Sequence, residues 1–204
     1  MFQAFRGSQL CIVNSNNTKC IKMKPLNVPA REQVSQENQI NFDNLKKALG
    51  MVPNLYATIA YSTNGLSRYL AFQAAKTSLS NKEKEAVNLI VSQVNGCRYC
   101  QSAHTVLGGL NGFSKEEILS IRKGTSNNHK LNALVTLAKA ITEKKGRVND
   151  KLLDEFFAVG YNNENLVDLI LQISDKIAMN YLHNLTEIPI DFPEAEPLLE
   201  TSVV

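Results

Sequence analysis

At 204 residues the chain is long enough for one domain with a real hydrophobic core. Its balance of 44% hydrophobic and 20% charged residues is that of an ordinary soluble globular protein. A formal net charge of +3, with no Lys/Arg cluster interleaved with aromatic residues, argues against nucleic acid as a partner, and no apolar run is long enough to span a bilayer. In chain order, residues 1–25 read as a disordered leader or extension. The first 30 residues hold Arg6, Lys19, Lys22 and Lys24 but no acidic residue, a weak likeness to a transit peptide; the plainer reading is a start codon placed too early, with Met23 as the start. Residues 26–204 form a single domain. Phe42–Leu49 is a short amphipathic stretch closed by Gly50. Pro53 stands where a helix begins, and Gly65 interrupts or kinks that segment before Leu66, Tyr69, Leu70 and Phe72 continue it. Ser80-Asn81-Lys82-Glu83 is a capping box, and it opens an apolar helix carrying Val87, Ile90, Val91 and Val94. Asn95-Gly96 ends that helix, and Cys97 begins the next, which runs to about Leu110. Ser114–Glu117 is a second capping box, for a helix ending at Gly124. Further helices are expected from His129 to Lys145, after Asn149, and from Asn162 to about Leu185. The prolines at 189 and 193 leave the tail as an extended strap. No segment shows a convincing strand pattern, so the expected fold class is all-α, and the βαβ alternation of a thioredoxin fold is missing.

The four cysteines fall into two groups. Cys11 and Cys20 lie in the polar leader, whereas Cys97 and Cys100 lie at a helix start and are followed by His104. A secreted disulfide scaffold would be smaller and denser in cysteine, so the tight pair fits a working dithiol in a reducing, cytoplasmic compartment. In a helix Cys97, Cys100 and His104 stand at i, i+3 and i+7, on one face. That spacing leaves the two cysteine Cα atoms about 5 Å apart, inside the range a disulfide accepts. The unpaired N–H groups of a helix N-terminus favour a thiolate, and the imidazole, four residues beyond Cys100, supplies a base by direct or water-bridged transfer.

Three other readings compete, of which adventitious pairing of the two cysteines is disfavoured by their place at a helix start. C-x-x-C-x-x-x-H supplies three zinc ligands where a structural site takes four, and Cys11, Cys20, His129 and His183 are scattered. The residues could also be small core hydrophobes beside a satisfied core histidine, although three of them on one face fit that poorly.

Glu85, Cys97, Cys100 and His104 form an E-x11-C-x-x-C-x-x-x-H pattern that resembles the alkyl hydroperoxidase D-like, or carboxymuconolactone decarboxylase-like, family. The likeness extends from roughly Leu26 to Pro193. Asn180-Tyr181-Leu182-His183-Asn184 with Asp191-Phe192-Pro193 resembles the end of its peroxidase-related branch. The resemblance implies an all-α helical bundle of the AhpD-like type, a homo-oligomer (trimer or hexamer), and a thiol-dependent peroxidase that reduces alkyl hydroperoxides. By the same resemblance Cys100 is the peroxidatic thiol, Cys97 the proton donor and resolving thiol, and His104 with Glu85 the proton relay. By pattern alone Glu85, in Lys82-Glu83-Lys84-Glu85, would be a solvated charge. The better-known family members place a second histidine directly before the second cysteine. Here Tyr99 stands there, a poor base near neutral pH, read as a packing or substrate-shaping residue. His183 reads as a polar residue at a helix end or subunit contact. The expected partners are a hydroperoxide and an external dithiol reductant; no metal or organic cofactor is required. A general disulfide oxidoreductase and a decarboxylating lyase are the alternatives, the second disfavoured by the cysteine pair itself.

Overall fold

A computed structural model describes residues 3–6, 9–14, 17–22 and 26–198. Met23 lies outside the described residues, as does the end of the chain beyond 198. Within the stretch expected to be a leader or extension, three short strands, β1 (Gln3–Arg6), β2 (Gln9–Asn14) and β3 (Asn17–Lys22), pair as an antiparallel meander. Its register sets Cys11 opposite Cys20. The sequence reading assigns no strand there; β-branched Ile12, Val13, Thr18 and Ile21 favour extended backbone in spite of the polar composition.

From residue 26 onward every described regular element is a helix, so the domain is all-α, as expected. A 3₁₀ turn (Arg31–Gln33) precedes nine α-helices: α1 (Gln36–Leu49), α2 (Asn54–Ile59), α3 (Gly65–Ala74), α4 (Asn81–Val94), α5 (Arg98–Leu110), α6 (Lys115–Lys123), α7 (His129–Lys144), α8 (Asp150–Ala158) and α9 (Asn163–Thr186). Both capping boxes form. The Ser80 and Ser114 hydroxyls accept from the amides of Glu83 and Glu117, whose carboxylates accept in return. One boundary moves well beyond the expected range: α1 begins at Gln36 rather than near Phe42. Ser35 caps it, and its inward face carries Asn38, fully buried with its amide donating to the carbonyls of Ala60 and Ser62. A buried asparagine whose amide donates to backbone leaves no apolar period to read.

Helix α4 is the axis of the bundle and packs against α5, α6, α7 and α9. Ala86 to Val91 are buried on every side of it, as befits a helix with no solvent face. The main core gathers Val87, Ile90, Leu134, Leu137 and Leu169 with Phe156, whose ring stacks on Tyr161 at 4.4 Å. A second apolar cluster is set apart from it. Leu55 of α2, Tyr99, Cys100 and Ala103 of α5, Met179 of α9 and Ile188 beyond α9 pack together with Cys97.

The tail that follows α9 has no regular secondary structure and runs as the expected strap. Asp191 accepts from the Asn54 amide at 2.7 Å, Ala195 donates to the Ser102 hydroxyl at 3.0 Å, and Arg122 donates to the Glu196 carbonyl at 2.7 Å. The strap therefore ties α2, α5 and α6 together beside the second cluster.

Candidate active site

Cys97 is the N-cap of α5, its sulfur accepting from the Cys100 amide at 3.3 Å. Gly96, with φ of +65°, makes the turn that lets the chain leave α4 and enter α5 here. Both cysteines are free thiols and nearly inaccessible, at 0% and 2% exposure. The helix N-terminus was expected to favour a thiolate at Cys97, and its local effect does so. A larger effect reverses it. The hydrogen bond that the Cys97 thiol gives to the Cys100 sulfur, followed by burial, pushes Cys97 well up. The same hydrogen bond lowers Cys100 to about 7 against its burial, and Lys176 and Asn180 act in the same direction. Of the two thiols, Cys100 is therefore the one that ionises first, near neutral pH, while Cys97 keeps its proton.

His104 stands one turn beyond Cys100, 7% exposed, and its Nδ1 lies 2.7 Å from Glu85 Oε2. Glu85 is placed from α4, and its other oxygen accepts from Asn88 Nδ2 at 3.2 Å. Asn88 in turn accepts from Gln172 Nε2 of α9 at 2.8 Å. Burial alone would raise the Glu85 carboxyl, but His104, Lys176 and Asn88 hold it below its ordinary value. Burial, together with Lys176, holds the imidazole below its ordinary value against the pull of Glu85. A neutral ring beside a carboxylate donates from Nδ1, which leaves the Nε2 lone pair as the base. No direct hydrogen bond joins the ring to either sulfur. Cys100 and His104 open onto one cavity of about 600 Å³. Glu85 and Lys176 share its floor, while exposed Leu49, Phe72, Leu110 and Leu171 form an apolar rim.

Residues 63–146, the stretch that carries this dithiol, its histidine and its carboxylate, match the carboxymuconolactone decarboxylase family. The segment from α3 to α7 thus resembles that family. No curated protein matches the chain in sequence. Among solved structures it resembles an uncharacterized peroxidase-related protein from Silicibacter sp. TM1040, with a TM-score of 0.72 and 18% identity over 84% of this chain and 91% of that one. It also resembles an alkylhydroperoxidase AhpD core, an uncharacterized peroxidase-related protein from Ralstonia eutropha JMP134, with a TM-score of 0.74 and 16% identity over 82% and 92%. A third likeness is to the debrominase Bmp8 in complex with 2,3,4-tribromopyrrole, with a TM-score of 0.68 and 18% identity over 83% and 93%. At these identities the solved structures establish the fold.

Around this family-matched segment the other residues singled out in the sequence take definite places. Tyr99 is 3% exposed; its hydroxyl accepts from the Leu55 amide at 3.3 Å, and its ring meets those of Phe192 and His183. It pins α2 and the strap to α5 while one side lines the cavity, which suits the packing and substrate-shaping role better than that of a base. Burial raises its phenol further. His183 is buried at the end of α9, where its Nε2 donates to the Ile188 carbonyl at 3.2 Å and so fixes the turn into the strap. Among the described residues no three His, Cys, Asp or Glu side chains gather as a metal site. None of the described helices is long and apolar enough to cross a membrane. Sequence reasoning missed Asn88 and Gln172, which orient Glu85, and the buried pair Asp175 and Lys176 on the cavity wall.

These shifts have a consequence for stability. The folded-state pKa of His104 lies below the unfolded value of about 6.5, so below that pH the unfolded chain binds a proton that the folded protein refuses. Glu85 acts in the same direction once pH drops below its ordinary carboxyl range. Stability therefore falls on acidification, first through the His104 window and then through that of Glu85. Melting temperatures between pH 7.5 and 5 should decline in the native protein and decline less in His104→Gln. Equal slopes for the two proteins would contradict this assignment.

Proposed function

We propose that this protein is a thiol-dependent peroxidase that reduces alkyl hydroperoxides through a Cys97–Cys100 dithiol/disulfide cycle. The observation that carries this reading is the placement of Cys100 on an apolar-rimmed cavity shared with His104 and Glu85, with the Cys97 thiol one turn away at the cap of α5. The Cys100 thiolate attacks the distal oxygen of ROOH; the O–O bond breaks, an S–O bond forms, and the alcohol leaves after protonation. Sulfur loses the two electrons that the peroxide gains. Cys97 then attacks the sulfenic acid. Once the neighbouring thiolate is gone its proton must go elsewhere, and the Nε2 lone pair of His104, with Glu85 behind it, receives it through water. The S–S bond forms, the S–O bond breaks, and the hydroxide leaves as water by taking that proton back from His104. An external dithiol restores the pair by thiol–disulfide exchange.

Burial of both sulfurs speaks against a general protein disulfide oxidoreductase, because a disulfide on a folded protein surface cannot reach a sulfur that is 2% exposed. It suits a small substrate that enters the cavity. Self-association belongs to the same proposal: Val167, Ile170, Leu171, Tyr181 and Leu185 leave an exposed apolar face along α9 for a trimer or hexamer. Mass spectrometry after one equivalent of cumene hydroperoxide, with thiol trapping, tests the cycle. The expected product is an internal Cys97–Cys100 bridge with loss of two hydrogens, and native spectra of the same sample give the oligomer. Peroxide that leaves both thiols alkylatable would refute the proposal.

A further inference from the structure

Lys176 lies beyond the family-matched segment, on the inward side of α9, and is 4% exposed. A lysine is almost never buried to this degree unless it is paired. Its partner is a loose one. Asp175 Oδ2 stands 4.0 Å from Nζ, at the limit of an ion pair, and that oxygen already accepts from Gln73 at 3.4 Å, while Asp175 Oδ1 is buried with no hydrogen bond. Nζ makes no hydrogen bond to any described residue, and the side chain lines the cavity that Cys100, His104 and Glu85 share. The arrangement makes a poor structural ion pair, since burying two charges is repaid only by close geometry and satisfied lone pairs. It makes a good fixed cation in a site where negative charge has to move.

We infer that Lys176 is a catalytic group of the peroxidase reaction, its ammonium donating to the oxygen that leaves as the O–O bond breaks. This rests on the functional reading above and adds to it the source of the leaving-group proton. Before reaction the negative charge sits on the Cys100 sulfur. As sulfur takes the distal oxygen, that charge passes to the proximal oxygen, RO⁻, which needs a proton to leave as ROH. His104 cannot supply it, because the ring is held neutral with its one proton directed to Glu85. Lys176 carries three N–H donors into the cavity. The alkoxide takes one proton, and the amine regains it from solvent, so each turnover consumes one solvent proton, ROOH and the dithiol with Cys100 as thiolate, and yields ROH, water and the disulfide. A cation placed in advance where an oxyanion develops is worth far more in a dry cavity than in water.

The groups around Lys176 and Cys100 are Tyr56 from α2, Tyr69 from α3, Glu85 from α4, Cys97 and His104 from α5, and Asp175 from α9. Although burial alone would lower Lys176, Asp175 and Cys100 hold the ammonium above its ordinary value, and both phenols are pushed up. Lys176 therefore remains charged across the range in which Cys100 ionises.

The test compares the native protein with Lys176→Met and Lys176→Arg, using two readouts on the reduced protein. Iodoacetamide alkylation against pH reports the Cys100 thiolate without any peroxide. Stopped-flow oxidation by cumene hydroperoxide reports O–O cleavage. In Lys176→Met the alkylation profile should move to higher pH. At a pH where both proteins are fully thiolate, oxidation should still be slower by about 10²–10³-fold, with part of the loss recovered in Lys176→Arg. General damage to the site would slow alkylation at that pH as well. If Lys176→Met does not fold with Asp175 left uncompensated, Asp175→Asn/Lys176→Met removes both charges and is read in the same way. Oxidation of the methionine variants at the native rate overturns the role of Lys176 alone. Native protein that alkylates normally but is not oxidised by peroxide overturns the peroxidase reading and this inference together.

Discussion

Cys100→Ser should lose thiol-dependent peroxide turnover entirely, a fall on the order of 10³-fold or more to the uncatalysed background. The reason is the asymmetry of the thiol pair. Cys100 sits near 7, first through the hydrogen bond from Cys97 and then through Lys176, whereas Cys97 holds its proton well above the physiological range. A serine hydroxyl in the same place has no accessible anion and no sulfur to oxidise. Cys97→Ser should behave differently. The serine hydroxyl can still donate to the Cys100 sulfur, so the first oxidation survives. The sulfenic acid that does form has no resolving partner, so one equivalent of peroxide is consumed and the cycle stops. Coupled consumption of cumene hydroperoxide with dithiothreitol measures the first variant, and trapping of a single sulfenic acid by dimedone measures the second. If the roles were exchanged, Cys97→Ser would lose the first oxidation and Cys100→Ser would accumulate the sulfenic acid.

His104→Gln should slow turnover by about 10²–10⁴-fold, the usual contribution of a positioned acid–base group. The loss should fall chiefly on disulfide closure, because Cys100 is already ionised near neutral pH while Cys97 has a proton to surrender. The expected sign is a sulfenic acid on Cys100 that lives long enough to be trapped in the variant and not in the native protein. Glu85→Gln should share the effect at a smaller scale, on the order of 10²-fold. The amide oxygen can still accept from Nδ1, but it carries no charge to stabilise the imidazolium that forms, and the amide nitrogen then faces Asn88 Nδ2, so that hydrogen bond is lost. A Glu85→Gln protein with native rates of both steps would reduce Glu85 to a structural neighbour of the ring.

The solved structures that this chain resembles include a debrominase as well as peroxidase-related proteins. A shared bundle at 16–18% identity leaves the chemistry to be argued from the site, because fold and reaction are separable.

Much of the site was legible in advance because it is local. Cys97, Cys100 and His104 fall within eight residues of one another, and helical periodicity alone puts them on one face. Asn95-Gly96 ends α4, so Cys97 becomes the cap of α5; the two capping boxes place α4 and α6 to the residue. Where the reading fell short, the cause was contact across long separations. The inward face of α1 was obscured because buried Asn38 finds its acceptors 22 and 24 residues away. Glu85, in a run of alternating charges, looks solvated until α5 brings His104 against it, 19 residues on. Asp175 and Lys176 carry no signal in the sequence, and only the packing of α9 buries them, at 6% and 4% exposed.

By itself the sequence determined the all-α architecture, nearly all of the helix boundaries and the cysteine–histidine triad, since these depend on caps, turns and spacings within one or two helical turns. Tertiary structure alone decided which thiol is ionised, which state the imidazole holds and where the fixed positive charge sits. Those depend on the depth at which each group is buried and on charges supplied by α4 and α9. In a medium of low polarity a hydrogen bond or an ammonium a few ångströms away outweighs the helix N-terminus that the sequence had made visible.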